Sequence, residues 1–120
     1  MSVELIELSR NVIMMTVNGR LTHDELAEAQ ARASAAIAKR ERVRIIVITE
    51  DFQGWEQSAD WDDLSFRLEN DTKIERMAIV GKRRWKEQAL VFAGQGFRKF
   101  PIVYFEHERL FKAHTWVLAP

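Results

Sequence analysis

Four aromatic side chains crowd the span that follows the apolar run Arg44-Ile45-Ile46-Val47-Ile48: Phe52, Trp55, Trp61 and Phe66. Rings of this kind bury about 150 to 250 Å² each, and apolar walls carrying a few polar groups are the usual lining of small-molecule pockets. Two readings follow. The rings wall a groove for a lipophilic molecule or a partner's apolar side chain, or they pack a folded-back loop onto neighbouring helices. A second group, Lys82-Arg83-Arg84 with Lys86, surrounds Trp85 at the expected start of a helix. Cations there oppose the positive end of the helix dipole at roughly 0.3 to 1 kcal/mol each. With the amides after Gly81 they can receive a phosphate or carboxylate; the alternative is a solvated rim paired with nearby acids. The ligand-binding candidates are therefore Phe52, Trp55, Trp61, Phe66, Lys82, Arg83 and Trp85.

Other chemistries find few residues to carry them. The chain has no cysteine, which removes disulfides, thiolate metal sites and a cysteine nucleophile together. No GxSxG elbow surrounds Ser2, Ser9, Ser34, Ser58 or Ser65, so no nucleophile is marked and no enzyme is expected. His23, His107 and His114 form no HExxH pair. The acids Glu50, Asp51, Glu56, Asp60, Asp62 and Asp63 match no calcium loop, and the last three suit the first turn of a helix. Neither GxxxxGK[ST] nor GxGxxG occurs, so no metal, nucleotide or other cofactor is expected. Phe97-Arg98-Lys99-Phe100 could stack on bases. Yet Lys+Arg and Asp+Glu are 18 each, which leaves no net charge to draw nucleic acid, and the segment reads better as the entry to an edge strand.

The elements that must position these residues are legible from periodicity. The 120 residues, 47% hydrophobic and 30% charged, suit one domain spanning 1–120. No apolar run approaches the roughly 20 residues of a membrane span, so a cytoplasmic protein without membrane insertion is expected. Val3 to Leu8 and Val12 to Val17 read as a strand pair, with Asn18-Gly19 ending the second. Thr22 and Glu25 form a capping-box pattern before a helix with Leu26, Ala29, Ala33, Ala36 and Ile37 on one stripe. Val43 to Thr49 is a nearly continuous apolar run, hence a central strand, and the residues after it read as a turn. Ser58 caps a second helix whose stripe is Trp61, Leu64 and Leu68. Phe66 then lies about 140° round from Trp61. Met77 to Val80 is a strand, Trp85 to Ala93 a helix stopped by Gly94-Gln95-Gly96, Ile102 to Phe105 a strand behind Pro101, and Leu110 to Val117 a closing helix. The sum is an α/β fold: a mixed, mostly parallel five-stranded sheet with about four helices and right-handed crossovers.

Several segments in this order resemble the SpoIIAA-like branch of the STAS domains. They are Asp51-Phe52-x-Gly54-Trp55, Trp61-x-Asp63-Leu64, Ala78-Ile79-Val80-Gly81 followed by Lys82 and Trp85, and Phe105 with Ala113 and Trp116-Val117. The resemblance covers nearly the whole chain and implies a non-catalytic role in binding or regulation. It does not carry over a phosphorylated serine: where the anti-sigma-factor antagonists among these domains have an Asp-Ser-Ser/Thr-Gly type segment, this chain reads Asp-Phe-Gln-Gly-Trp, and Ser58 fits a helix cap. Taken with the residues above, it leads to a module that holds a lipophilic tail on its rings and an acidic head at the Lys82 to Lys86 edge. The alternative is a protein-protein interaction module that docks a partner or forms a homodimer through the same surface.

Overall fold

The computed structural model describes residues 3–56 and 70–120. The helix expected after Ser58, and with it Trp61, Phe66, Asp60, Asp62 and Asp63, lies outside the described residues. Strands β1 (Val3–Leu8) and β2 (Val12–Leu21) form an antiparallel hairpin in which Val3 faces Val17 and Leu8 faces Val12. Its turn passes through Arg10 and Asn11, both at φ 61°. Helix α1 (His23–Ala38), strand β3 (Val43–Trp55), strand β4 (Ile74–Gly81), helix α2 (Lys86–Ala93), strand β5 (Ile102–Glu106) and helix α3 (Leu110–Leu118) follow. The sheet order is β1-β2-β3-β4-β5, parallel from β2 onward. The expected five-stranded mixed sheet is thus present, with α1, α2 and α3 as the α-helices lying wholly within the described residues.

Local chemistry sets the element ends. The Thr22 hydroxyl accepts from the Glu25 amide at 3.1 Å and donates to the Glu25 carboxylate at 2.8 Å, so the capping pair starts α1 where the pattern predicts. Ala29, Ala33, Ala36 and Ile37 are buried, and the small side chains let α1 approach the sheet closely. Gly94 ends α2 at φ 81°, its amide donating to the carbonyls of Leu90 and Val91, a left-handed cap that glycine adopts at little cost.

The two sheet faces have separate cores. Ile13, Ile45, Met77 and Ile79 pack under Ala36 and Ile37 of α1 and Ala89, Leu90 and Ala93 of α2. Val12, Ile46, Ala78 and Val80 pack under Ala113 and Val117 of α3 on the opposite face. Two arginines fasten α3 from the sheet. Arg44 Nη1 donates to the carbonyls of Val117, at 2.6 Å, and of Ala119, and Arg76 Nη1 donates to that of Trp116 at 2.6 Å. These carbonyls belong to the last helical turn and the residues just beyond, where backbone donors run out; that of Trp116 also accepts from the Ala119 amide at 3.3 Å.

Two expectations are corrected together at the other end of the sheet. Asn18-Gly19 does not end β2, and the residues after Thr49 are not a solvated turn. β2 runs on to Leu21 and so offers β3 partners as far as Trp55. Asn18 pairs with Glu50 and Arg20 with Gly54, so Gly19 alone faces Asp51, Phe52 and Gln53. This bulge bends β3, with Asp51 at φ 47° and Gly54 at φ 98°. Bulges re-aim side chains, and this one carries Phe52 and Trp55 into the aromatic cluster at the head of the α1/α2 face.

Phe97-Arg98-Lys99-Phe100 is also settled by packing. Phe100 is buried, and the Arg98 side chain, 6% exposed, is clamped on Asp71. Only Phe97 and Lys99 of the four lie at the surface, so no alternating stacking face is presented.

Candidate functional site: an aromatic-walled cavity

Between the sheet and helices α1 and α2 lies a cavity of about 160 Å³. Its floor is Met15 and Val17 of β2, Ile45, Val47 and Thr49 of β3, and Met77 and Ile79 of β4. Leu26, Gln30 and Ala33 of α1 form one side and Ala89, Phe92 and Ala93 of α2 the other, with Arg98 and Tyr104 at the margin. Phe52, Trp55 and Trp85 form a further wall among the described residues.

The rings of that wall touch one another. Phe52 stands edge-on to Trp55 and to Trp85, with centroids 5.0 Å apart in both pairs. Trp55 is edge-on to Trp85 at 5.9 Å and tilted against Phe92 at 5.1 Å. Edge-to-face pairs of this kind add about 0.5 to 1.5 kcal/mol beyond area burial. The same rings thus pack against one another and border the cavity. Gly54 belongs to this arrangement, because a side-chain carbon there would meet the Trp85 ring at 3.3 Å.

The cationic segment is placed differently. Lys82, Arg83, Arg84 and Lys86 are exposed and none lies on the cavity lining. Arg84 stacks over the Trp85 ring, 5.0 Å from its centroid, and Arg83 Nε is 3.9 Å from the Glu106 carboxylate. A single 3-10 turn, Arg83–Trp85, leads into α2 and swings Trp85 inward while its basic neighbours stay out. Of the sequence candidates, the structure brings together Phe52, Trp55 and Trp85 and sets Lys82 and Arg83 outside; Trp61 and Phe66 are outside the described residues.

Lining residues that the sequence did not single out include Tyr104, Thr49, Arg98, Gln30 and Phe92. Phe92 lay unmarked within the expected helix Trp85 to Ala93, and nothing local distinguishes Tyr104 or Thr49 from other strand residues. Both hydroxyls are engaged: Thr49 donates to the Val80 carbonyl at 2.9 Å and Tyr104 to that of Lys82 at 2.6 Å. Gly81 threads between them, where a side-chain carbon would lie 2.4 Å from each hydroxyl oxygen. Burial, and secondarily the charge of Glu106, push the Tyr104 phenol up to about 12. It is the one tyrosine of the chain, so phenolate absorbance near 295 nm should report it alone. The expected midpoint is close to that value, above the roughly 10 of a free tyrosine. Because the folded state resists ionisation, stability is expected to fall as pH rises from about 10 to about 12. A midpoint near 10 would mean that the phenol is solvated and its bond to the Lys82 carbonyl open.

Among the described residues no group of three or more His, Asp or Glu could hold a metal, and no helix is long and apolar enough to cross a membrane.

Comparison with known proteins decides the lineage. A profile described as SpoIIAA-like matches residues 12–118. The chain belongs to the SpoIIAA-like family. No curated protein matches it significantly. Among solved structures, this SpoIIAA-like chain is similar to an uncharacterised protein of the DUF3478 family from Shewanella loihica PV-4 with a SpoIIAA-like fold. That match has 22% identity and TM-score 0.69, over 96% of this chain and 91% of the other. It is also similar to the anti-sigma factor antagonist SpoIIAA in its unphosphorylated form, at 15% identity and TM-score 0.62 over 95% and 97%. The phosphorylated form of the Bacillus cell fate determinant SpoIIAA matches at 17% and 0.56, over 92% and 96%. At these identities the likeness shows a common fold, that of anti-sigma factor antagonists. The sheet order and parallel pairing described above are thus those of a SpoIIAA-like fold.

Proposed function

We infer that this SpoIIAA-like chain is a non-enzymatic binding module that takes a lipophilic small molecule into the cavity between its sheet and helices α1 and α2. The observation that carries this reading is the aromatic wall. A strand bulge with a positive φ at Asp51 and a glycine fitted against Trp85 both serve to hold Phe52, Trp55 and Trp85 over one cavity. Local backbone strain of that kind is retained where the surroundings over-determine it, commonly at ligand clamps. The described lining is almost wholly aliphatic and aromatic, as ligand pockets are, and shows no nucleophile beside a base.

Denaturing the purified protein, extracting it with organic solvent and identifying the released compounds by mass spectrometry tests this. The control is Ala89→Leu, which extends a side chain from α2 into the cavity. A near-stoichiometric apolar compound is expected from the wild type and should be much depleted in the variant. If both extracts stay empty after growth in several media, the cavity reading fails. A partner-docking module, alone or as a homodimer, would take its place, and mass in solution would be the next measurement.

A further inference from the structure

We propose that the ligand of this cavity is a small, uncharged compound whose polar end both donates and accepts, as a carboxamide does, and that the side-chain amide of Gln30 meets that end while the apolar body lies against Phe52, Trp55 and Trp85. The proposal rests on the binding reading above and narrows it through three features of the lining.

The first is a polar residue on an apolar stripe. Leu26, Gln30, Ala33 and Ile37 are spaced by four, three and four residues, so they share one face of α1. Leu26, Gln30 and Ala33 lie on the cavity lining, and Ile37 is buried. A helical side chain leans toward the N-terminus of its helix. That carries Gln30 toward Leu26 and the cluster that Leu26 shares with Phe52, Trp55 and Phe92. Gln30 is half-buried, and its amide makes no hydrogen bond among the described residues. The other polar groups of the lining offer less. The Thr49 hydroxyl is given to the Val80 carbonyl, that of Tyr104 to the Lys82 carbonyl, and Arg98 to Asp71 and the Ala93 carbonyl. Indoles can only donate, and the nitrogen of Trp55, which also lacks a partner, is too deeply buried for a ligand to reach. Gln30 alone on the described lining therefore presents free donors and a free acceptor together. A carboxamide answers both, whereas a ketone or ether leaves the Gln30 oxygen unmatched.

The second is charge. Arg98 is the one ionised side chain on the described lining, and Asp71 already matches it through two bonds of 2.9 and 2.5 Å. Lys82 and Arg83 are exposed and off the lining. A carboxylate entering the cavity would lose hydration with no free counter-charge to meet it, which a neutral amide avoids.

The third is size. A volume of about 160 Å³ is close to that of engineered apolar cavities that hold one benzene. The matching ligand is a single ring or short chain of about six to nine non-hydrogen atoms.

Four probes of similar size separate these features: ethylbenzene without a polar end, acetophenone with an acceptor only, benzamide with donor and acceptor, and benzoate with a charge. Each is titrated into ¹⁵N-labelled wild type and Gln30→Met, which keeps a long unbranched side chain without its hydrogen-bonding end. The side-chain amide signals of Gln30 are assigned by through-bond experiments in the wild type. Benzamide should move them downfield of their positions with ethylbenzene, whose ring is the same. The ratio of benzamide to ethylbenzene affinity should drop about tenfold or more in Gln30→Met, the scale of one to two net hydrogen bonds. The matching ratio for acetophenone should drop less, and benzoate should bind weakest. If the Gln30 signals do not distinguish bound benzamide from bound ethylbenzene, if the benzamide ratio survives the substitution, if acetophenone loses as much as benzamide, or if benzoate binds tightest, the inference fails while the cavity reading stands. If none of the four binds, both fail. The wild-type signals alone decide the matter should the variant not fold.

Discussion

Replacing Arg98 with alanine is expected to destabilise the protein by about 3 kcal/mol, the lower end of what breaking a buried ion pair costs. The guanidinium forks onto Asp71, Nε to Oδ2 at 2.9 Å and Nη2 to Oδ1 at 2.5 Å, while Nη1 donates to the Ala93 carbonyl at 3.1 Å near the end of α2. It also lies 4.7 Å from the centre of the Phe100 ring. Alanine removes all of these at once and leaves the Asp71 carboxylate, 22% exposed, without its partner. For a chain of this length the melting temperature should fall by roughly 10 °C. Arg98→Lys should recover little of the loss, since a point charge on a flexible stem cannot reproduce the fork. Arg98→Met combined with Asp71→Asn should be milder than Arg98→Ala, because no uncompensated charge remains. Calorimetry of the three variants checks the set, and a melt for Arg98→Ala within about a degree of wild type would show that the pair contributes no net stability.

Trp55→Ala is expected to cost about 3 kcal/mol as well, at the low end for truncating a large ring. The ring touches Phe52, Trp85 and Phe92, so its loss removes the centre of the wall and opens the cavity toward the surface depression shared by Trp55, Trp85 and Phe92. Trp55→Phe keeps an aromatic body in place and should cost less than about 1.5 kcal/mol. Urea unfolding with an unchanged denaturant slope would locate the loss in the native state. Far-UV spectra of both variants should keep the wild-type form at low urea, because the strand ladder of β2 and β3 does not depend on the indole. Equal midpoints for wild type and Trp55→Ala would mean that the rings touch without contributing to stability, leaving the groove as their only role.

The contrast between Phe52 and Lys82 shows where reading the chain in one dimension stops. Both stood out by type, one as an aromatic after a strand and the other in a cluster of cations. Yet only Phe52 reaches the cavity, because a register shift between β2 and β3 turns it there. Register is a property of two strands, so no window around Phe52 contains it. Arg98 misleads in the opposite sense. Beside Phe97 and Lys99 it resembles a surface cation, but its partner Asp71 is 27 residues away in sequence, beyond the reach of any local pattern.

By itself the sequence determined the five strands, α1, α2 and α3 in their order, the parallel sheet from β2 onward, and the SpoIIAA-like lineage. The elements and their pairing follow from hydrophobic period, caps and glycine stops, which act within a few residues, and the lineage from the resemblance of the segments quoted above to that family. Tertiary structure alone decided that β3 continues through Gly54 to Trp55, that Trp55, Trp85 and Phe92 share one wall, that Arg98 is neutralised by Asp71, and that the indole of Trp55 is buried without an acceptor. Each of these depends on which distant groups meet once the two sheet faces are covered, since pairing, desolvation and cavity shape arise from contacts between elements and not from any element alone.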